Sequence, residues 1–212
     1  NNIKNIIFSS TAALYKFNNK ILNEKSTISP KSTYAKTKFE CEKIIRKSNL
    51  NCIILRFFNV CSSLKIKKRI IGELHNPETH LIPTIVYKNI CKKKIYIYGD
   101  NYKTKDGTCI RDYVHIKDIC TAIKKSINYL LNNNNKFEII NISSSSKKTN
   151  FEILNTIKQI TKINNIYQVV KRRSGDVDFL SCSNSKAKLK LKWSPIYSNI
   201  NKIIKDEIEW VY

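Results

Sequence analysis

The 212-residue sequence contains no methionine, only four glycines and four prolines, and 16 acidic residues against 39 lysines and arginines. It opens on Asn1-Asn2-Ile3, so without a methionine we expect a piece of a longer protein. No apolar run approaches the ~18 residues that a membrane span requires, and the basic, polar opening lacks the apolar stretch of a secretory signal. Cys41, Cys52, Cys61, Cys91, Cys109, Cys120 and Cys182 lie far apart, with no C-x-x-C and an odd total. That spacing argues against a disulfide or zinc framework and fits reduced thiols in a cytoplasmic compartment. His75, His80 and His115 form no H-E-x-x-H motif and no pair at helical spacing, so no metal is expected.

What is present is enough apolar material for a core: the chain is 42% hydrophobic and 10% aromatic, long enough for one large domain or two small ones. The formal charge of +23 invites a nucleic-acid reading, because clustered lysine and arginine neutralise phosphates and release counterions. Yet the excess is mostly lysine. Arginine, which reads phosphate and guanine bidentately, occurs only at Arg46, Arg56, Arg69, Arg111, Arg172 and Arg173. The lysines travel with asparagine and isoleucine, as in Asn132 to Asn135 and Lys92-Lys93-Lys94, which reads as a composition bias spread over solvated faces. A specific nucleic-acid partner is not expected, whereas attraction to anionic substrates is.

Apolar β-type runs alternate with helix-period segments, so the class is α/β. Ile6-Ile7-Phe8 reads as a buried parallel strand ending in Ser9-Ser10-Thr11. A helix over Thr33 to Lys47 and a strand over Cys52 to Phe58 complete one strand, helix, strand unit of a doubly wound sheet. The stretch from Val60 to Tyr113 is richer in turn residues, with a helix pattern at Leu81 to Lys93 and a strand at Lys94 to Tyr98. It reads as an insertion that leaves the sheet. Asp118 to Leu131 is a helix, the asparagine run a polar loop, and Phe137 to Ile142 a strand returning to the sheet. Thr149 and Glu152 form a T-x-x-E capping box opening a helix to about Lys162; helices at Ser185 to Leu191 and Asn199 to Tyr212 close the chain. The expected division is 1–62 as the second half of a Rossmann-type domain, 63–113 as a small α/β substrate-binding insertion, 114–148 returning to the sheet, and 149–212 as a C-terminal substrate-binding region.

Tyr34 and Lys38 form Y-x-x-x-K, which on a helix sets both side chains on one face, a turn apart. A nearby ammonium favours phenolate, and such a tyrosine can exchange a proton with a sugar hydroxyl while hydride moves. With 11 tyrosines in a lysine-rich chain, about two chance matches are expected, and Tyr113/Lys117 and Tyr167/Lys171 also match. Context separates Tyr34: it opens the helix that follows a strand ending in a hydroxyl triplet, at the carboxyl edge where ligands of such sheets bind. The plainer reading is a packed tyrosine on an amphipathic helix.

Phe8-Ser9-Ser10-Thr11-Ala12-Ala13-Leu14-Tyr15, Tyr34-Ala35-Lys36-Thr37-Lys38 and Leu55-Arg56-Phe57-Phe58-Asn59-Val60 closely resemble the UDP-glucose 4-epimerase family of extended short-chain dehydrogenase/reductases. So do His80-Leu81-Ile82-Pro83, Tyr98-Gly99-Asp100-Asn101-Tyr102, Asp106 to His115, and Arg172-Arg173-Ser174-Gly175-Asp176, in order and spacing over essentially the whole chain. The resemblance implies NAD as cofactor, a UDP-sugar as substrate and a homodimer in the full-length protein. The implied reaction interconverts UDP-glucose and UDP-galactose through a transient 4-keto sugar. It makes Tyr34 the catalytic base, Lys38 its partner and the holder of the nicotinamide ribose, and Thr11 the hydroxyl that orients the sugar 4-OH. Ser9, Ser10 and Phe58 would face the cofactor. Asn59, Thr79 and His80 would contact substrate, Leu81 and Tyr96, Ile97 and Tyr98 would bracket uracil, Arg111 and Arg173 would grip the diphosphate, and Asp176 would accept from the ribose.

Each assignment has a structural counterpart: Ser9 and Ser10 as a strand end, Asn59 as turn punctuation, Asp112 and Asp118 as caps or sheet-edge partners. Thr11 replaces a more common serine, Lys16 stands where glycine often follows the tyrosine, and Cys61-Ser62-Ser63 replaces a glycine-containing turn, which puts local loop geometry in doubt. The family's G-x-x-G-x-x-G is absent, so this piece alone is expected neither to hold NAD tightly nor to turn over substrate. Leu180 stands where the family limits bulk near the sugar 2-substituent, and its intermediate size leaves UDP-N-acetylhexose and UDP-pentose epimerases or dehydratases open. A basic polyanion-binding module is the rival from another class.

Overall fold

The computed structural model describes residues 3–134 and 137–211. It begins with strand β1 (Asn5–Thr11), which runs into a 3-10 turn over Ala12–Leu14 capped by Thr11. Helix α1 (Thr33–Lys47) starts where the Ser32 hydroxyl accepts from the Ala35 N–H and ends with Arg46 and Lys47 in its last turn, each terminus carrying the group its unpaired N–H or C=O ends favour. Then come β2 (Asn51–Phe57), β3 (Asn59–Cys61), the hairpin β4 (Leu64–Ile66) and β5 (Arg69–Ile71), α2 (Leu81–Ile90) and β6 (Ile95–Tyr98). β7 (Ile110–Arg111) and β8 (Tyr113–His115) lead into α3 (Ile116–Leu131). The chain closes with β9 (Phe137–Ile142), β10 (Lys148–Thr149), α4 (Asn150–Thr161), β11 (Tyr167–Val170), β12 (Phe179–Leu180), α5 (Ser185–Leu191) and α6 (Ile200–Val211).

β1, β2 and β9 form a parallel sheet with β2 in the middle. Among the described residues β1 pairs with no strand on its other side. The middle strand is apolar on both faces, as a covered parallel strand must be: Cys52, Ile53, Ile54 and Leu55 are fully buried. Ile53, Leu55, Ile140 and Ile142 pack with Ile119, Ala122 and Leu130 of α3 and with Ala187, Leu191 and Trp193. Trp193 is fully buried and donates its Nε1–H to the Asp118 carbonyl at 3.1 Å and to the Thr121 hydroxyl at 3.0 Å, the pairing a buried indole requires. A second core gathers Ile82, Ile85 and Val86 of α2, Ile95 and Ile97 of β6, Ile153, Leu154 and Ile157 of α4, and Ile200, Ile203 and Ile204 of α6. In all three helices these residues recur at the i, i+3, i+4 spacing of a single buried stripe. Each fully buried side chain of this size contributes roughly 1.5–3 kcal/mol.

One row across the sheet is polar. Ser10, Arg56 and Asn141 are register partners on β1, β2 and β9, and Glu42 of α1 closes over them. The Arg56 guanidinium donates to both Glu42 carboxylate oxygens, at 3.0 and 2.6 Å, and to the Tyr15 hydroxyl at 3.0 Å. Ser10 donates to Glu42 at 2.6 Å, and Tyr15 donates to Asn141 at 2.7 Å. A bidentate pair this deeply buried, with Arg56 3% and Glu42 4% exposed, fixes the orientation of α1 on the sheet more than it adds net stability.

The capping box at Thr149 and Glu152 is present in both directions. Differences from the sequence reading lie at element ends and in short strands. α2 stops at Ile90, because Lys92 adopts a left-handed φ of 52°. α3 begins two residues early, because His115 serves as its cap: the Nδ1 atom accepts from the Lys117 N–H at 3.0 Å. The middle segment lies outside the β1-β2-β9 sheet and pairs with later strands. β6 pairs in parallel with β11, β3 with β8, and β7 with both β10 and β12, so the C-terminal third is woven into it. Asn135 and Tyr212, the last residues of the expected polar loop and closing helix, fall outside the described residues.

Candidate functional site

Tyr34, Lys38 and Glu42 follow one another at four-residue spacing along α1 and so share a face. Glu42 is locked to the sheet, and Lys38 reaches the β1 backbone, its Nζ donating to the Ser9 carbonyl at 2.9 Å and lying 5.0 Å from the Phe8 ring centroid. The same ammonium is 5.9 Å from the Tyr34 ring centroid. Tyr34 itself is 55% exposed and makes no hydrogen bond among the described residues. The helix is therefore pinned at its middle and presents an open phenol at its start, beside the carboxyl end of β1. There Thr11 caps the 3-10 turn by accepting from the Ala13 N–H at 3.2 Å, which leaves its own O–H to donate elsewhere.

Two cofactor-facing expectations are corrected here. Ser10 is buried and its hydroxyl is committed to Glu42, because strand alternation points it to the opposite face from Ser9. Phe58 is 5% exposed and sits in the core of the sheet, so its ring does not face an open surface. Ser9 stays exposed, with its carbonyl held by Lys38.

From the carboxyl end of β2 the chain passes through Asn59 into a cleft of about 460 Å³. Asn59, Thr79, His80, Leu81, Tyr96, Tyr98, Arg111, Arg173 and Asp176 all line it, so residues spread over more than a hundred positions meet in one cavity. Thr11 does not line it, nor does Ile97, whose side chain is fully buried in the second core because it points to the other face of β6 from Tyr96 and Tyr98. Sequence reasoning missed Thr84 and Lys88, which also line the cleft. They stand three and seven residues after Leu81, on the same helical face, which is the signal that could have found them. Thr84 carries a buried hydroxyl without a partner among the described residues, a group that calls for a ligand or water.

Arg111 is 14% exposed in its side chain. Its Nη1 donates to the Ile110 and Val177 carbonyls at 2.9 and 2.8 Å, while Nη2 meets Asp176 only at 3.4 Å. The turn that delivers it depends on Gly107, at a φ of +77°, where an added Cβ would lie 2.0 Å from the Asp100 carbonyl oxygen. Arg173 stacks its guanidinium 3.8 Å from the centroid of the Tyr98 ring and makes no salt bridge or hydrogen bond through its side chain among the described residues. Its neighbour Arg172 is spent on structure, over Tyr102 at 3.9 Å and on Asp178 at 2.8 Å. Tyr102 donates to Asp176 at 3.3 Å, and burial together with that carboxylate pushes the phenol up to about 12. Two guanidiniums, Lys88, a tyrosine face and an aliphatic wall suit a ligand that joins a phosphate to an aromatic ring.

The loop doubted in the sequence is built without its glycine. Ser62 adopts a left-handed φ of 77°, and its hydroxyl donates to the Ile203 carbonyl at 3.0 Å while Ser63 donates to Asp206 at 2.6 Å. These bonds offset the strain of a non-glycine residue there. Beneath the cleft, burial and the nearby Glu73 and Glu78 push Glu207 up to about 7. Asp112 accepts from Ser143, Ser144 and Ser181 and Asp118 from Ile196, Tyr197 and Ser198, so both are joints of the fold.

Residues 1–206 match the family model described as GDP-mannose 4,6 dehydratase. The chain belongs to the NAD-dependent epimerase/dehydratase family. It is 37% identical to a UDP-glucose 4-epimerase of Lacticaseibacillus casei, covering 98% of this chain and 64% of that protein. To a UDP-glucose 4-epimerase of Lactobacillus helveticus it is 35% identical, covering 99% and 64%. The crystal structure of the UDP-glucose 4-epimerase of Brucella ovis in complex with NAD superposes with a TM-score of 0.90 at 30% identity, covering 98% of this chain and 65% of that one. The chain thus spans about 64% of the length of these epimerase relatives.

Proposed function

We propose that this chain is the part of an NAD-dependent UDP-hexose 4-epimerase that binds the nucleotide sugar and carries the proton-transfer residues. The observation that carries the reading is the convergence of Asn59, Leu81, Tyr98, Arg111, Arg173 and Asp176 on one cleft, which Asn59 enters from the carboxyl end of β2, while Thr11 ends the neighbouring β1 and α1 carries Tyr34 and Lys38. Arg111 and Arg173 hold the diphosphate, the first partly buried and oriented by carbonyls, the second stacked on Tyr98 and otherwise unpaired among the described residues. Leu81 and Tyr98 flank the base, and Asp176 accepts from the ribose. The binding energy therefore sits on the UDP end, and the hexose is left to turn over against Tyr34.

NAD fits this chain at one end only. The exposed Tyr34 and the strand-anchored Lys38 suit the nicotinamide ribose, whereas Gly72, Gly99, Gly107 and Gly175, the only glycines, all lie beyond the first strand-to-helix turn and supply no phosphate-binding loop. A pyrophosphate cradle is therefore expected in the part of the relatives that this chain does not span. When bound, NAD supplies a hydride acceptor and donor at the sugar carbon. The chain's own residues do the rest: Tyr34 takes the proton of the 4-hydroxyl and later returns it, Lys38 holds α1 and the ribose side in place, and Thr11 orients the 4-oxygen. The product differs from the substrate only in the face to which hydrogen returns, so no net redox results. The full-length enzyme is a homodimer packed through the sheet domain, including α1.

The test is to incubate the full-length protein with UDP-glucose, UDP-galactose and their N-acetyl counterparts and to follow the epimer formed. Interconversion lost in Tyr34→Phe, with UDP binding retained, supports the assignment. RNA binding that falls steeply with salt and survives that substitution, without turnover, replaces it by the polyanion-binding alternative.

A further inference from the structure

The segment between β5 and α2 carries an arrangement that proton transfer at Tyr34 does not use, although His80 within it also lines the cleft. One ligand atom from each of Glu73, His75, Glu78 and His80 lies within 4.8 Å of every other. His75 Nδ1 is 2.7 Å from Glu73, and His80 Nδ1 is 2.9 Å from Glu78 and 3.3 Å from Glu73. The two imidazoles stack with centroids 5.2 Å apart. We propose that these four side chains form a binding site for a divalent transition-metal ion, Zn2+ by preference, at the lip of the cleft. The site does not depend on the epimerase reading.

Two imidazole nitrogens and two carboxylate oxygens are a borderline donor set, which suits Zn2+ and Co2+ and disfavours Ca2+ and Mg2+. Metal–ligand distances of about 2.0–2.2 Å put tetrahedral ligand atoms about 3.3–3.6 Å apart, so the side chains need adjustments only on the order of 1 Å.

Charge supplies the second argument. In a chain of formal charge +23, no lysine or arginine among the described residues pairs with Glu73 or Glu78; apart from the His80 N–H, which donates to Glu78 at 2.6 Å, the partners of their side chains among the described residues are the two histidines. A third carboxyl, Glu207 of α6, is 4% exposed, has no hydrogen bond among the described residues and faces the negative charge of the same two glutamates. Three carboxyls gathered without a lysine or arginine partner among the described residues repel one another, and a divalent cation bound by the glutamates and the neutral imidazoles reverses this.

The backbone is ready to hold the ligands. The Trp210 indole donates to the Glu73 carbonyl at 3.0 Å, Ser62 and Ser63 tie the neighbouring turn to α6, and His80 caps α2 without using its side chain for the cap. Because Glu78 and His80 also line the cleft, a bound ion clamps that wall.

The experiment is a Co2+ titration of the metal-stripped, untagged full-length protein, followed by Zn2+. The expected result is one equivalent of Co2+ giving the d–d absorption of a four-coordinate N/O site without a thiolate charge-transfer band, and displacement by Zn2+. Altering partners of metal ligands costs about 10–100-fold in affinity, so removing a ligand in His75→Ala or Glu73→Gln should cost at least about 100-fold. The His75 side chain is 57% and that of Glu73 37% exposed, and circular dichroism verifies that the variants fold. Absence of a stoichiometric Co2+ complex, a thiolate band from the cysteines, or unchanged affinity in both variants overturns the proposal.

Discussion

Arg56 and Arg173 both rest on a tyrosine ring, 5.0 Å from the centroid of Tyr15 and 3.8 Å from that of Tyr98, yet they belong to different kinds of region. In the sheet, Arg56 is 3% exposed and its donors are spent on Glu42 and Tyr15. In the cleft, Arg173 has no partner beyond the ring among the described residues. The tyrosines divide the same way: Tyr15 is buried and bonded to Arg56 and Asn141, while Tyr34 is open and makes no hydrogen bond among the described residues. A polar group whose bonds are all made inside the protein is holding the fold, and one left with capacity in a concave or edge position is waiting for a ligand.

The contrast breaks most visibly at the two tyrosines. Tyr34→Phe removes an open hydroxyl that the fold does not use, so the full-length enzyme should lose about 10²–10⁴-fold in kcat, the usual worth of a positioned proton-transfer group. Its UDP affinity and unfolding midpoint should stay at the parent values. If equilibrium dialysis shows UDP binding falling with turnover, Tyr34 is a binding residue and the division between edge and interior is wrong.

Glu42→Ala is the converse case. It leaves the Arg56 charge buried without its carboxylate, which should cost about 3–5 kcal/mol in denaturant unfolding. Replacing Glu42, Arg56 and Ser10 together by apolar residues of similar volume should recover much of that loss, because an absent pair costs less than a broken one. A loss under about 1 kcal/mol for the single variant would mean that the row does not anchor α1.

Arg173→Ala sharpens the comparison at the cleft. A charge-assisted bond to phosphate is worth about 1.5–3 kcal/mol, so UDP should bind roughly 10–100-fold more weakly by calorimetry. Stability should move by less than about 0.5 kcal/mol, as for other exposed positions. Arg172→Ala, one residue earlier, should instead lower stability through the loss of the Asp178 pair.

The same distinction explains what could be read without coordinates. The sheet unit was legible because buried parallel strands are unbroken apolar runs, and the start of α4 because its capping box stands in the sequence. Nine of the cleft residues were legible from the family resemblance, seven of them within its quoted motifs. Ser10, Phe58 and Ile97 were not, because motif membership does not say which face of a strand a side chain takes; Ile97 alternates with Tyr96 and Tyr98 and turns inward. The two-residue strands β7, β10 and β12 are too short to show a period. The Glu73 to His80 cluster escaped because two histidines five residues apart match no helical motif, and only the loop's path brings them together.

His115 yields the smallest effect and tests whether a buried titratable group outside both regions behaves as a pure fold element. Its backbone N–H donates to Ser198 at 3.0 Å, and its Nδ1 accepts the α3 cap bond from Lys117, so the ring proton sits on Nε2 toward Asp206, 2.9 Å away. Burial holds the imidazole below its usual 6.5, against the opposing pull of Asp206 and Asp118 and with a further push from Lys202. Above pH 6.5 neither the folded nor the unfolded chain protonates this ring, and its contribution to stability is complete. As the pH falls from 6.5 toward the lowered folded value, the unfolded chain takes a proton that the folded one refuses, so stability declines over that window. A second proton could enter only at Nδ1, where it would collide with the Lys117 N–H and undo the cap. His115→Asn keeps a capping side chain but removes the titration. Unfolding midpoints measured in urea from pH 8 to 5.5 should therefore slope downward more steeply in the parent than in the variant below pH 6.5, and identical slopes would remove His115 from the acid response.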